Sequence, residues 1–492
     1  MRLSISAAGI ASAQGSLTQS FNSTSLRKPA TWPWPVNGWA TSPVCRPAVG
    51  VDRTLRGIPR WQRLARLALV DCFGSEIPNA DAATPIFIGS CNGAADGIDE
   101  ADWRKSFDTT RMLEGTPWAG KCLPMFSSSC NSGLHALYAA TKALEAGAKE
   151  AVVLAVDILS RINQSNFESL RVLSESPGTP WQQNSSGFIL GEAAVALRIT
   201  ATSQTGMYPE FAGPELTNTI NEVDGPRRVL RKLSPTRSAI ILGQGTGSST
   251  RDKHELAAFQ TMIANSVPVS TPLLHFGHTL GASGLLSMAL AVMAQREARF
   301  PLSLVMPATT TRDGRPLLSN ADELRKDETI LLTSGALDGS FAAAVIGRSR
   351  EQENTQARTS AAEVWQQPKR PGPLMHPTLK QVAADATAQR PNLTRPPDLL
   401  VVRLDEPLTP PASAWFGERL LPSAVLEITP GFISQLIAQC WGFTGPALCM
   451  VGATDADANT WALIPSCESL GLRVARIDVK GTGENREIIW NV

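Results

Sequence analysis

The sequence has little charge and almost no excess of either sign. Only 18% of its 492 residues are charged, and 45 Lys and Arg stand against 44 Asp and Glu, a formal net charge of +1. Nucleic-acid binding requires a basic surface against the phosphates, and anionic lipid attracts polybasic blocks. The composition therefore argues against both partners. The 43% of hydrophobic residues indicate a globular protein with sizeable cores.

Metal-ligand spacing and long hydrophobic runs are also missing. The eight cysteines form no Cys-x-x-Cys pair and no His lies at zinc-finger spacing, so no metal, cofactor or disulfide scaffold is predicted. No stretch reaches about 18 uninterrupted apolar residues, which predicts no membrane span. Ser4, Ser6 and Gly9 interrupt the apolar start, unlike the core of a signal peptide. We therefore expect a cytoplasmic protein.

From residue 1 to about 350, short apolar runs alternate with amphipathic stretches, which is typical of an α/β fold. Several runs are apolar at consecutive positions, as strands covered on both faces must be. The predicted strands are Ile86–Ile88, Ala151–Val156, Gly187–Ile199, Ala239–Leu242, Thr329–Leu332 and Ala343–Ile346. The predicted helices are Ser132–Gly147, Asp252–Asn265 and Gly281–Arg296.

The pattern breaks over residues 351–397, where prolines and polar residues predict a linker. Residues 398–492 then return to α/β patterning and predict a small C-terminal module. Its expected elements are the strands Leu399–Val402, Ala447–Val451 and Leu472–Ile477 and the helix Gly431–Trp441.

Cys130 is the first candidate for catalysis. Small polar residues, Ser127 to Ser129, lead to it, and an amphipathic helix follows. Unpaired N–H groups and the helix dipole at such a position stabilise an anion, which favours a reactive thiolate. A buried structural cysteine is the alternative reading of the same residue.

Three glycine-containing segments accompany Cys130. Gly243–Glu255 follows an apolar strand, the segment GHTLGASG at Gly277–Gly284 contains His278, and Ser334–Ala343 joins two strands. Taken singly each has an ordinary explanation, because a glycine turn after a strand can be structural and a lone His is commonly a helix cap. The spacing at 243–247 lacks the full dinucleotide fingerprint.

Taken together and in order, the segments of residues 1–350 resemble the β-ketoacyl synthase family of the thiolase-like fold. The start AAGIASAQG resembles its opening strand, CNSGLHAL at Cys130 its nucleophile motif, and GFILGEAA with Glu192 its central strand. The series continues with Gly245-Thr246-Gly247 followed by Asp252 and Glu255, then with GHTLGASG, and ends at Gly339-Ser340.

The resemblance implies a pseudo-duplicated five-layer α/β/α/β/α domain, usually dimeric. It also implies decarboxylative Claisen condensation of thioesters held on acyl carrier protein, in fatty acid or polyketide-like biosynthesis. Cys130 would take the acyl group, and His278 and Gln244 would hold the thioester oxygen. The loop from Leu337 to Gly339, Ser340 and Thr246 would form the gate and the oxyanion contacts, with Glu255, Asp252 and Glu192 in supporting places. The acidic carrier would dock on a local basic patch around Arg60, Arg63 and Arg66.

The sequence also departs from the family pattern. Gln244 stands where ordinary members have His, and an amide donates a hydrogen bond but exchanges no proton near neutral pH. Leu273 replaces the usual Lys, so Glu255 would need another cationic partner, His254 or His275. The stretch Pro180–Gly187 lacks the family's Asp and Arg, and Leu337 takes the place of the gating Phe.

Two functions stay open. One is a divergent, active condensing enzyme, acylated on Cys130. The other is a subunit comparable to chain-length factors, which pairs with an active ketosynthase. The first function would go with a homodimer and the second with a heterodimer. The C-terminal module is either an unrelated α/β module or a degenerate partial copy of the ketosynthase, with Thr454 at the place of the cysteine.

Overall fold

The computed structural model describes most of the chain. The described residues are 2–23, 27–31, 44–48, 60–74, 83–94, 106–121, 123–202, 208–219, 223–233, 238–321, 323–325, 327–347, 368, 377–393, 395–408, 429–452, 462–481 and 486–491. The strands are β1 Arg2–Ser12, β2 Ala30–Thr31, β3 Val44–Arg46, β4 Ile86–Gly89, β5 Met125–Ser127, β6 Glu150–Asp157, β7 Leu190–Gly191, β8 Ala193–Thr202, β9 Glu210–Asn218, β10 Ser238–Leu242, β11 Val269–Ser270, β12 Thr329–Gly335, β13 Ser340–Ile346, β14 Leu399–Leu404, β15 Ala447–Val451, β16 Val474–Lys480 and β17 Glu487–Asn491.

The α-helices and two short 3₁₀ turns complete the described elements. The helices are α1 Leu17–Asn22, α2 Arg60–Phe73, α3 Thr109–Met112, α4 Ser132–Glu145, α5 Arg161–Ser169, α6 Asp224–Leu233, α7 Ser249–Met262, α8 Leu273–Phe276, α9 Ser283–Glu297, α10 Pro377–Ala388, α11 Phe432–Trp441 and α12 Leu463–Ser469. The 3₁₀ turns are Leu280–Ala282 and Leu302–Leu304.

The first part of the chain contains the same strand arrangement twice. One half has the order β1-β8-β6-β4-β5 and the other β9-β13-β12-β10-β11. In both halves the first two neighbouring pairs are antiparallel and the next two are parallel. A short pairing of β1 with β9 at Leu3 and Ser4 joins the halves. The predicted pseudo-duplication is therefore present in the topology.

Helices cover both faces of each half. α4 and α9 share one buried cluster with residues of both halves, whereas α2 packs against β1, β6 and β8. Residues of α6 and α7 form a further cluster against β10, β12 and β13. The layers therefore run helix, half-sheet, helix pair, half-sheet, helix, as the resemblance implied.

Most of the predicted elements form within a few residues of their expected bounds. The predicted strand Gly187–Ile199 is wrong in one respect, because it divides into β7 and β8 around Glu192. Leu190 pairs with His278 and β7 runs beside β3, so this segment belongs to the edge of the site rather than to the large sheet.

The C-terminal residues extend the large sheet. β15 pairs antiparallel with β5, and β14, β16 and β17 follow in the order β15-β14-β16-β17. Part of the predicted linker is helical, since Leu379, Val382 and Ala386 of α10 enter the same buried cluster as α2. Most other linker residues, and the predicted position Thr454, lie outside the described residues.

No described helix is long and apolar enough to cross a bilayer.

The contact between β1 and α2 predicts a measurable effect of Gly9→Ala. A Cβ at Gly9 would lie 2.2 Å from the backbone N of Cys72 and 2.5 Å from the carbonyl oxygen of Ala68. Because backbone cannot yield as a side chain does, we expect the free energy of unfolding to fall by about 3 kcal/mol in denaturant titrations. Gly471→Ala is the control, with open space but a φ of +72°, for which a loss of about 1 kcal/mol is expected from backbone strain alone. Equal losses in the two variants would contradict the close packing.

Candidate active site

Cys130 lies in a tight turn between β5 and α4. Ser129, just before it, has a φ of +45°, in the left-handed region that a non-glycine residue seldom occupies. Ser132 stabilises the turn, because its Oγ accepts from the backbone N of Ser128 at 2.9 Å and donates to the carbonyl of Ser129 at 2.7 Å. Strain of this kind persists only where surrounding bonds hold it, and it is frequent at active sites. The predicted place of Cys130 at the start of a helix is thus present.

The expected thiolate character of Cys130 is not found in this structure. Only 4% of the residue is exposed. Burial raises the pKa of its thiol to about 12, which outweighs the lowering effect of the Arg251 charge, while Asp338 and Asp157 raise it further. Removal from water disfavours the charged form more than the helix terminus favours it. Cys130 therefore rests as a thiol.

Asp338 connects the nucleophile turn to the loop between β12 and β13. Its carboxylate accepts from Ser129 Oγ at 3.0 Å and from the backbone N of Ser340 at 3.0 Å. Burial raises the pKa of Asp338 to about 6, although these bonds and Arg251 act in the opposite direction. The loop is thereby fixed directly against the residue that precedes Cys130.

The loop residues predicted as gate and oxyanion contacts have separate places. Leu337 packs against an apolar cluster that includes Phe188, Leu273 and Leu280. The N–H of Gly339 bonds to the carbonyl of Ala336 at 3.2 Å, so it is engaged in the turn and does not serve an oxyanion.

Ser340 is likewise engaged within the protein. Its Oγ lies 3.0 Å from Nε2 of His135, and its carbonyl accepts from Asn131 Nδ2 at 2.9 Å. It therefore ties β13 to the start of α4.

His278 is held as a neutral hydrogen-bond donor. Its Nδ1 accepts from the backbone N of Leu280 at 3.1 Å, which places the proton of the neutral ring on Nε2. Burial, and secondarily the charge of Arg251, lower its pKa to about 4. The ring of Phe188 stacks on it with centroids 4.7 Å apart. The loop after it reaches the nucleophile turn, since a Cβ at Gly281 would lie 2.8 Å from Cβ of Ser132.

Gln244 and His278 line one cavity, together with Thr271, Leu273 and Ser334. Oε1 of Gln244 accepts from the backbone N of Gly335 at 3.2 Å, so its donor end is the part available to a ligand oxygen. Gln244 also lines a second cavity with Arg251, Thr246 and Phe341. Cys130 is not among the described residues that line either cavity, so the structure brings two of the three predicted catalytic side chains to a shared space.

Glu255 has partners other than the histidines that the sequence suggested. Its carboxylate accepts from the backbone N of Gln244 at 2.8 Å and of Gly245 at 3.2 Å, and from Trp181 Nε1 at 2.9 Å. Burial raises its pKa against these bonds. The Nε2 of His275 lies 3.3 Å from the carbonyl of Val305. Trp181 lies in the stretch that lacks the family's Asp and Arg, and its Nε1 donates a hydrogen bond to the Glu255 carboxylate.

Asp252 holds the same loop from its other side. It accepts from the backbone N of Trp181 at 2.7 Å, from Thr246 Oγ1 at 3.2 Å and from the backbone N of Gly247 at 3.1 Å. Burial raises its pKa to about 7. Asp252 and Thr246 thus support the glycine-rich loop.

Glu192 supports the other edge of the site. It accepts from the backbone N of Ala48 and Leu159 and forms an ion pair with Arg60. Arg60 therefore does not contribute a free charge to the predicted basic patch, whereas Arg66 of that patch is exposed.

Two residues of the site were missed by the sequence reasoning. Asp157, at the end of β6, accepts from Ser90 Oγ at 2.8 Å and from the backbone N of Cys91, and burial raises its pKa to about 7. A Cβ at Gly281 would lie 2.7 Å from its Oδ2. An acidic residue directly after a buried strand was the available signal. Arg251 is the second, a cation whose charge acts on Cys130, His278 and Asp338.

Within the described ranges, no group of three or more His, Cys, Asp and Glu is arranged to hold a metal ion.

Two family profiles match the chain. The beta-ketoacyl synthase N-terminal domain matches residues 124–204 and the beta-ketoacyl synthase C-terminal domain matches residues 227–306. These ranges contain Cys130, Glu192, Gln244 and His278. The two matches support a member of the β-ketoacyl synthase family.

A curated relative is the tetracenomycin polyketide synthase ketoacyl synthase alpha subunit of Streptomyces glaucescens. It is 26% identical over 261 residues, which are 46% of this chain and 60% of the relative. The match therefore spans less than two thirds of that relative's length.

Solved structures show the thiolase-like ketosynthase fold. A ketosynthase in complex with its chain length factor, from Xenorhabdus doucetiae, matches with a TM-score of 0.56 and 21% identity, over 71% of this chain and 98% of that chain. The PfaC keto synthase-chain length factor matches with a TM-score of 0.68 and 13% identity, over 97% of this chain and 74% of that chain.

The raised pKa of Cys130 predicts how its alkylation depends on pH. Only the thiolate reacts, so the rate at Cys130 should rise roughly tenfold per pH unit from pH 6 to 9 without levelling off. Iodoacetamide labelling, followed by peptide mass spectrometry at Cys130, measures this rate. Glutathione, a free thiol with a pKa of about 8.5–9, is the reference and should level off within an accessible range. A plateau for Cys130 below pH 8 would show that the thiolate is stabilised after all.

Proposed function

We propose that this protein accepts an acyl group from acyl carrier protein on Cys130 and catalyses decarboxylative condensation with a malonyl thioester. The observation that carries the proposal is the arrangement of the strained Cys130 turn beside the loop of His278, with Gln244 and His278 on one cavity. Curated relatives include a polyketide synthase ketoacyl synthase alpha subunit.

The proposed chemistry has three steps: acyl transfer, decarboxylation and carbon–carbon bond formation. First, Cys130 Sγ attacks the acyl thioester, its proton passes to the departing carrier thiolate, and the acyl group becomes a thioester of Cys130. Next, the malonyl thioester loses carbon dioxide to form an enolate. The enolate carbon then attacks the Cys130 thioester carbonyl, so that a carbon–carbon bond forms and the sulfur of Cys130 leaves as thiolate.

His278 and Gln244 would stabilise the enolate oxygen as neutral donors. With its pKa lowered to about 4, His278 carries no charge near pH 7 and donates through Nε2–H. The Gln244 amide offers a second N–H and cannot exchange the proton. Fixed donors aimed at a developing oxyanion are effective because they need no reorganisation during the reaction.

The second candidate is a subunit that shapes the acyl chain of a partner ketosynthase. The buried, protonated state of Cys130 favours it, as does Leu273, which packs in the apolar cluster beside Phe188. In that role acyl carrier protein and a ketosynthase would be the partners, and Cys130 would take no acyl group. A solved ketosynthase–chain length factor complex shows that such pairs form in the fold family.

Intact-mass measurement with acyl- and malonyl-loaded carrier protein separates the two functions. The proposal expects an acyl adduct that is absent in Cys130→Ala, followed by loss of carbon dioxide from the malonyl group. The second function instead expects no adduct, no decarboxylation, and a changed product length when a partner synthase is added.

Gln244→His tests the place of Gln244. A neutral imidazole can donate at the same site and also exchange a proton, so we expect decarboxylation to rise about tenfold, measured as released carbon dioxide. Gln260→His, at an exposed position of α7, is the matched control and should leave the rate unchanged. An unchanged rate in folded, acylation-competent Gln244→His would remove Gln244 from the oxyanion site.

A further inference from the structure

The C-terminal strands repeat an arrangement found earlier in the chain. β14 is parallel to β15 and to β16, as β4 is parallel to β5 and to β6. β16 is antiparallel to β17, as β6 is to β8. α12 connects β15 to β16 in the way that α4 connects β5 to β6. Four strands and a helix therefore recur in the same sequence order and with the same directions.

The two arrangements meet through equivalent elements. β5 and β15 pair antiparallel, with Ser127 opposite Cys449, Phe126 opposite Met450 and Met125 opposite Val451. α12 packs against α4, and Leu463, Ile464 and Cys467 enter the buried cluster that α4 shares with both half-sheets. A contact in which an element meets its own equivalent is the mark of a two-fold axis.

We infer that residues 399–491 are an incomplete internal copy of residues 86–202, and that this copy occupies in cis the β5 edge at which a second subunit would otherwise pair. A free edge strand with unpaired N–H and C=O groups is a template for another chain. Here β15 satisfies that edge from within the chain. The inference rests on topology and register, so it holds or fails independently of the proposed catalysis.

The copy also reaches the site. The backbone N of Gly431 donates to Ser127 Oγ at 3.2 Å, at the strand end that leads to Cys130. Nε2 of Gln439 donates to the carbonyl of Asp338 at 3.0 Å. The backbone N of Asn218, at the end of β9, donates to the carbonyl of Thr444 at 3.1 Å. A separate module joined only by a linker would not supply buried hydrogen bonds to both the nucleophile turn and its neighbouring loop.

Ser127→Cys tests the pairing in the full-length protein. Residues directly opposite in an antiparallel pair have Cα atoms roughly 4.5–5.5 Å apart, on the same face, which lies within the roughly 4.4–6.8 Å that a disulfide spans. Mild oxidation should therefore link the new Cys to the native Cys449 within one chain. Non-reducing electrophoresis and peptide mapping would show the 127–449 link at the mass of the monomer.

Ser127→Cys with Cys449→Ala is the matched control. The carbonyl of Cys91 accepts from Ser127 Oγ, so a link to Cys91 is the competing product, and it would persist in this control. A 127–449 link between two chains would overturn the inference, because the copy would then act in trans. Absence of any 127–449 link in a folded variant would overturn the register.

Hydrogen exchange on the unmodified protein provides a second test, which does not depend on a variant folding. The amides of residues 125–127 should keep the same protection over a hundredfold dilution, because pairing within one chain does not depend on concentration. Loss of their protection on dilution would assign the β5 edge to a second chain and overturn the inference.

Discussion

The buried carboxylate of Asp338 holds together the parts of the site that come from distant stretches of sequence. It binds Ser129 and the backbone of Ser340, and its own carbonyl accepts from Gln439 of the C-terminal segment. Three regions more than a hundred residues apart thus converge on one residue. Because each of these partners is buried, water cannot replace a lost bond, and the strained conformation of Ser129 depends on this network.

Buried carboxylates also hold the other loops of the site. Asp157 holds the loop after β4, while Asp252 and Glu255 hold the glycine-rich loop after β10, each through backbone N–H groups. Burial raises the pKa of all three. Glycines at these loops allow the backbone to approach the carboxylates closely, as at Gly281 beside Asp157. The glycine motifs therefore set the backbone conformation of these loops. The acidic residues near them stabilise the loops by accepting hydrogen bonds from backbone N–H groups.

The sequence was sufficient for the fold of the first 350 residues, because strand runs and loop motifs are local signals. It was also sufficient for the position of Cys130 at a helix start. The sequence did not predict properties that depend on how deeply a side chain is buried. Burial, which no local pattern reveals, reverses the expected pKa shift of Cys130, and the bond from Trp181 Nε1 to Glu255 was not expected from the sequence. Asp157 was missed because its partners come from two distant loops.

The departures from the family pattern are physically consistent with one another. Leu273 adds apolar surface beside His278, and burial there lowers the pKa of His278 to about 4. A site with neutral His278 and neutral Gln244 retains hydrogen-bond donors but has lost groups that exchange protons near neutral pH. Arg251 is the positive charge that acts on this region, and it acts on Cys130, His278 and Asp338 together. A negatively charged ligand in the site would interact with the same Arg251 charge that lowers the pKa of Cys130. Binding of such an anion would offset the effect of Arg251 and raise the pKa of the Cys130 thiol further. In the proposed condensation, acylation of Cys130 before entry of the malonyl group would be the order that this coupling favours.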